Sequence, residues 1–152
     1  MREILFRGKR IDNGEWVYGY YIEAKNRWHK YGVHKEWIAC SARSNGGWFC
    51  LGERHAIISE TAGQFTGLTD KNGTKIFEGD IVTAPYIDPI FHSAWNEGNP
   101  TENVVVKYAD GVFYIEYIES KHKITLFGLL DGEKEAEVIG NVHDNPELLN
   151  VV

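Results

Sequence analysis

At 152 residues, with 43% hydrophobic and 25% charged side chains, the chain has the composition of an ordinary globular protein and can bury a core without staples. It has no run of about 18 apolar residues to span a membrane. Its first twelve residues, MREILFRGKRID, are charged throughout and lack a signal peptide's apolar core, so cytoplasmic residence is expected.

The net charge of −6 is unevenly spread. Residues 1–50 hold nine Lys/Arg against five Asp/Glu and ten of the twenty aromatic side chains; residues 51–152 hold seven Lys/Arg against seventeen Asp/Glu. The balances are +4 and −10, and oppositely charged halves attract each other within a chain or between copies. The expected organisation is an aromatic-rich β-hairpin subdomain over 1–63 and a β-barrel over 64–152.

Period-two alternation dominates the chain, punctuated by Asn-Gly and Asp-Gly, which tolerate the positive φ of hairpin turns. A two-residue turn at Asn13-Gly14 pairs Ile11 with Trp16, Lys9 with Tyr18, Arg7 with Tyr20 and Leu5 with Ile22. The stretch RWHKYGVHKEW, residues 27–37, suits one or two helical turns. Asn72-Gly73 separates two further strands, and residues 85–103, with three prolines, read as a long loop or insertion. At Asp110-Gly111 a clean hairpin sets Tyr108 opposite Phe113, Val106 opposite Ile115 and Val104 opposite Tyr117, leaving Lys107 and Glu116 on the wet side. Asp131-Gly132 precedes a last strand. Asn145 is placed to cap a short helix begun by Pro146, which folds Leu148 and Leu149 back onto the barrel. The fold class is mostly β and antiparallel, with little helix.

The most patterned stretch is TGLTDKNGTKIFEGDIV, residues 66–82. Asp70 to Gly73 suits a type I turn closed by a left-handed glycine. A calcium loop fails on register, because with Asp70 first, Lys75 falls where glycine is needed and Ile81 where the bidentate glutamate is needed. Glu78 and Asp80 flank Gly79, and a bend is expected there in which Asp80 accepts backbone N–H bonds as an Asx-turn opening the strand DIVTAPY, not a catalytic acid pair.

This segment, the opening REILFRGKR and the closing EVIGNVHDNPELL together resemble the YopX family of phage and prophage proteins. The matching positions are Arg2, Ile4, Phe6 and Arg7, then Thr66, Gly67, Leu68, Asp70, Gly73, Ile76, Phe77, Glu78, Gly79, Asp80, Ile81 and Val82, then Val138 to Leu148. The resemblance implies a C-terminal part like an SH3 barrel, a mobile-element origin, residence in a bacterial host and no established activity. Thr66, Gly67, Leu68, Asp70, Gly73, Glu78, Gly79 and Asp80 read as turn-building residues of the family motif.

Nothing positive points to an enzyme or a cofactor. Cys40, Cys50 and His55 with His29 or His34 lack zinc-knuckle spacing, so no metal is expected and both thiols should be free. His143-Asp144 has no nucleophile motif beside it and reads as ordinary strand. The hairpin face formed by Arg7, Lys9, Tyr18 and Tyr20 is the candidate binding surface. Rings stack on bases and cations neutralise phosphates, but a sheet face covered by a neighbour is the commoner outcome. Two functions follow: a non-enzymatic protein-binding adaptor or regulator acting on a host or phage protein, or a nucleic-acid-binding module using that face. Self-association is expected as well, since twenty aromatics over two small β units leave apolar surface to cover.

Overall fold

A computed structural model describes residues 4–23, 36–39, 54–85, 101–117, 123–127 and 136–149. The chain divides into two compact units, Met1–Phe65 and Thr66–Val152.

In the first unit, β1 (Phe6–Lys9), β2 (Trp16–Glu23), β3 (Glu36–Ala39), β4 (Arg54–Ala56) and the start of β5 (Gly63–Thr69) form an antiparallel sheet in the order β4-β3-β2-β1-β5. A 3-10 turn, Ser59–Thr61, leads into β5, and Thr61 Oγ1 accepts the Lys9 backbone N–H at 2.8 Å.

The hairpin register differs from the sequence expectation. Arg7 faces Tyr18 and Lys9 faces Trp16, two positions away from the expected pairing. A two-residue type I′ turn needs positive φ at both central positions. Gly14 has φ +73, but Asn13 is not among the described residues with positive φ. Instead Arg10 N–H donates to Glu15 O at 2.9 Å and Gly14 N–H to Arg10 O at 3.1 Å, a four-residue loop. Asn13 fastens it, its Oδ1 accepting the Glu15 N–H at 3.0 Å. On the other side of β1, Ile11 N–H donates to Ala56 O and Arg10 bridges Ile57, which draws Ile11 away from β2. A slip of two preserves the pleat, so Arg7, Lys9, Trp16, Tyr18 and Tyr20 still share one face.

In the second unit the rest of β5 neighbours β6 (Lys75–Phe77). A five-stranded antiparallel sheet follows from β7 (Asp80–Pro85), β8 (Thr101–Ala109), β9 (Val112–Glu116), β10 (Lys123–Thr125) and β11 (Glu137–Asn141), in the order β10-β9-β8-β7-β11. Among the described residues no pairing joins β10 to β11 and no closed barrel is found. The β8–β9 hairpin forms as its sequence demands. Asp110 (φ +51) and Gly111 (φ +84) are both left-handed, and Val106 faces Ile115 while Tyr108 faces Phe113. Val104, Val106, Ile115 and Tyr117 are fully buried, and Lys107 Nζ meets Glu116 Oε2 at 3.0 Å on the wet side. Each such apolar side chain contributes roughly 1.5–3 kcal/mol by leaving water. Burial, and then nearby Glu102, push the Tyr117 phenol far above its ordinary range. It stays protonated and donates to Pro85 O at 2.7 Å.

The insertion is shorter at both ends than expected. Pro85 ends β7 and residues 101–103 open β8, leaving 86–100 outside the described residues. Most of the expected helix over 27–37 also lies outside them, but Glu36 and Trp37 belong to strand β3. Asp131-Gly132 lies outside as well. A 3-10 helix, Pro146–Leu149, does follow Asn145, and Leu148 O accepts from Asn103 Nδ2 at 2.9 Å. The Asn145 side chain points backward, its Oδ1 facing the Asn141 N–H at 3.4 Å. The role expected of it was to cap the turn ahead, but Gly140 leaves the space that draws it back: a Cβ there would lie 2.6 Å from Asn145 Oδ1.

Candidate functional site

Two constellations were singled out by the sequence, the basic-aromatic face of the N-terminal hairpin and the turn of residues 66–82. The first divides into a covered half and an open half. Arg7 is only 6% exposed, its guanidinium carbon 4.8 Å from the Trp16 ring centroid. Lys9 is half-buried, with Nζ 5.6 Å from the same centroid. Both cations therefore lie against one indole, a favourable arrangement for a ring quadrupole. Tyr18 and Tyr20 are 49% and 51% exposed. The covering expected of an aromatic stripe is supplied within the chain at Arg7 but not at the two tyrosines.

Strand β4, which the sequence reading missed, extends this face. Tyr20 pairs with Ala39 and Ala39 with Arg54, so Tyr20 and Arg54 share one transverse row, about 10 Å apart across two strand spacings. Arg54 is exposed. The signal for β4 was RHAII, an apolar run too short to separate from loop by pattern alone.

The second constellation is a set of backbone clamps. Asp70 is buried, and its Oδ1 accepts the N–H groups of Asn72 and Thr74, each at 2.8 Å. Its Oδ2 accepts the Val138 N–H at 3.1 Å. Burial pushes the Asp70 carboxyl up, but the N–H bonds from Val138, Thr74 and Asn72 prevail and hold it below the usual carboxylate range. Gly73 N–H closes the turn onto Asp70 O at 3.0 Å. Thr66 Oγ1–H donates to Ile76 O at 2.9 Å and accepts the Leu68 N–H at 3.2 Å. Gly67 (φ +86), Gly73 (φ +81) and Gly79 (φ +82) occupy left-handed backbone that a side chain would strain. Asp80 is buried at the head of β7, and its Oδ2 accepts the Phe77 N–H at 2.7 Å, back across the Glu78-Gly79 bend. The expected acceptance of backbone N–H is met in the reverse sense from an Asx-turn. Glu78 is half-buried in the bend.

No three His, Cys, Asp or Glu side chains come together to hold a metal among the described residues. Cys40, Cys50, His29 and His34 lie outside them, while His55 sits in β4. His143 and Asp144 lie in a turn, not the strand expected of them, because Asn141 Oδ1 accepts both their N–H groups at 3.0 Å. Among the described residues no helix is long and apolar enough to cross a membrane.

With the geometry in hand, comparison with known proteins decides the family. The family model described as YopX protein matches residues 5–150. The chain belongs to the YopX family. It is also similar to the crystal structure of protein EF1440 from Enterococcus faecalis, with a TM-score of 0.59 and 23% identity over 98% of this chain and 99% of that one. At that identity the likeness shows the fold. No curated protein matches. In this YopX chain the middle and closing motif segments are bonded to each other: Asp70 to Val138, Asp80 paired with Asn141, and Val142 N–H donating to Gly79 O at 3.0 Å.

Proposed function

We propose that the chain is a non-enzymatic protein-binding adaptor or regulator, acting on a host or phage protein through the open half of the hairpin face. The observation that carries this reading is the pair Tyr18 and Tyr20, each about half exposed on one strand face. Rigid rings presented on a sheet supply large contact area at low entropic cost, and tyrosine and arginine dominate the energetics of protein interfaces. Nucleic-acid binding is the weaker reading, because phosphate neutralisation needs cations within reach. Arg7 is buried and Lys9 half-buried, both over Trp16, so of the cations on the described face Arg54 alone is exposed.

The order β10-β9-β8-β7-β11, with the last strand beside the first of the meander, supports an SH3-like scaffold for the second unit. Such barrels host binding surfaces of many kinds.

The test is capture of partners by the tagged full-length chain from bacterial lysate, with and without nuclease, comparing wild type with Tyr18→Ala/Tyr20→Ala. A protein identified by mass spectrometry, retained after nuclease and lost in the double variant, supports the reading. Capture abolished by nuclease, or tight retention on single-stranded DNA, favours nucleic-acid binding instead.

A further inference from the structure

Two exposed patches on this chain have complementary chemistry. The first is the hairpin face with Tyr20 and Arg54 in one row. By register, the positions of β1 to β4 that share that face hold no Asp or Glu. The second is the tip of the β8–β9 hairpin. Tyr108 belongs to the core-facing stripe with Val106, yet it is 48% exposed where Val106 is fully buried. The stripe therefore runs past the end of the core. There Tyr108 and Phe113 form a tilted ring pair, centroids 4.9 Å apart, beside exposed Asp110 in the turn.

We propose, resting on the reading of the hairpin face as a protein-binding surface, that until a host or phage partner displaces it this face is occupied by a second copy of this chain, with Tyr108 and Asp110 of one copy docking on Tyr20 and Arg54 of the other. A ring with a carboxylate close in sequence meets a ring with a guanidinium in the same row, which pairs aromatic with aromatic and charge with charge. The charges of the two units point the same way, +3 over residues 1–65 and −9 over 66–152. A two-fold arrangement uses each patch twice, face to tip and tip to face, and closes without leaving an open chain.

The experiment is sedimentation velocity on the full-length chain at micromolar concentration, in about 0.05 M and about 0.5 M NaCl, since screening separates charge-assisted from apolar association. Wild type should sediment at twice the monomer mass at low salt and dissociate partly at high salt. Tyr20→Ala and Arg54→Glu should each weaken the dimer about tenfold or more, the scale of a lost interfacial anchor or charge pair. Asp110→Lys should do the same. Because lysine sits poorly in left-handed backbone, Asp110→Asn serves as the second variant, keeping the turn while removing the charge. Mixing Arg54→Glu with Asp110→Lys re-pairs opposite charges and should restore association to within about threefold of wild type.

A monomer at both salts overturns the proposal, and the adaptor reading then stands or falls on the capture experiment. A dimer indifferent to Tyr20→Ala and Arg54→Glu overturns it too, since the copies then meet elsewhere. Failure of the mixture to re-associate rules out the Arg54–Asp110 contact. A nuclease-sensitive mass with nucleic-acid absorbance overturns both readings.

Discussion

Asp70 Oδ2 accepts the backbone N–H of Val138 at 3.1 Å, a bond spanning 68 positions of sequence. One carboxylate thus ties the β5–β6 turn to β11 while organising its own turn through Asn72 and Thr74. Its folded-state pKa lies below the ordinary value of 3.8. A depressed carboxylate contributes stability that is present above the unfolded pKa and is lost as pH falls through the folded one. Thermal melts from pH 7 down to pH 2 should therefore show a loss of stability below about pH 4 that is smaller in Asp70→Asn than in wild type. At pH 7 the Asn variant should itself be about 1.5–3 kcal/mol less stable, because the amide loses charge and cannot accept at both positions. Equal acid sensitivity in the two proteins would refute this role.

The strands of the second unit were legible because its turn chemistry and pattern agree. Asp110-Gly111 admits left-handed backbone at both positions, so the pairing of Val106 with Ile115 follows from counting. At Asn13-Gly14 the same dipeptide signal misled. Tertiary bonds from Ile11 to Ala56 and from Ile58 to Lys9 outweigh the local turn preference and set a four-residue loop. A slip of two kept the faces right even so. Strands β3 and β4 were not legible, being four and three residues long and too far apart for the Asn45-Gly46 between them to mark a tight hairpin. The candidate site was half legible: alternation put the four side chains on one face, but burial of Arg7 against Trp16 and the arrival of Arg54 in the row of Tyr20 depend on neighbouring strands.

The close approach of β1 to Ile57 offers a packing test. A Cβ on Gly8 would lie 2.7 Å from Ile57 Cδ1. Gly8→Ala should destabilise by about 1–3 kcal/mol, as overpacking does, seen as a lower denaturant midpoint with unchanged m-value. Adding Ile57→Val removes the nearest atom and should recover part of that loss, giving a non-additive pair. Additive effects would show that the contact is not what excludes a side chain at Gly8.

The hydrophobic centre of the second unit should respond far more strongly than its wet face. Ile115→Ala empties a fully buried position facing Val106 and should cost about 2–5 kcal/mol. Lys107→Ala breaks only the exposed pair with Glu116 and should cost about 1 kcal/mol or less. Urea unfolding of both variants checks the ranking. Comparable losses would mean that the core is not where the burial places it.

The tyrosines give the sharpest separation of structure from function. A ring buried in a core costs about 3–5 kcal/mol when cut to alanine, but Tyr18 and Tyr20 each keep about half their surface in water. Neither ring is fully committed to the packing of the first unit. Tyr18→Ala/Tyr20→Ala should lower the melting temperature of the dilute chain at high salt by no more than a few degrees, corresponding to about 1 kcal/mol. The same double variant should weaken association or partner capture at least tenfold, the scale of losing interfacial aromatic anchors. Measuring melting in about 0.5 M NaCl keeps subunit coupling from masquerading as fold stability, since anything that binds only the native state raises its apparent melting point. A large drop in melting temperature under those conditions, with association intact, would make the pair structural and leave the hairpin face without a binding role.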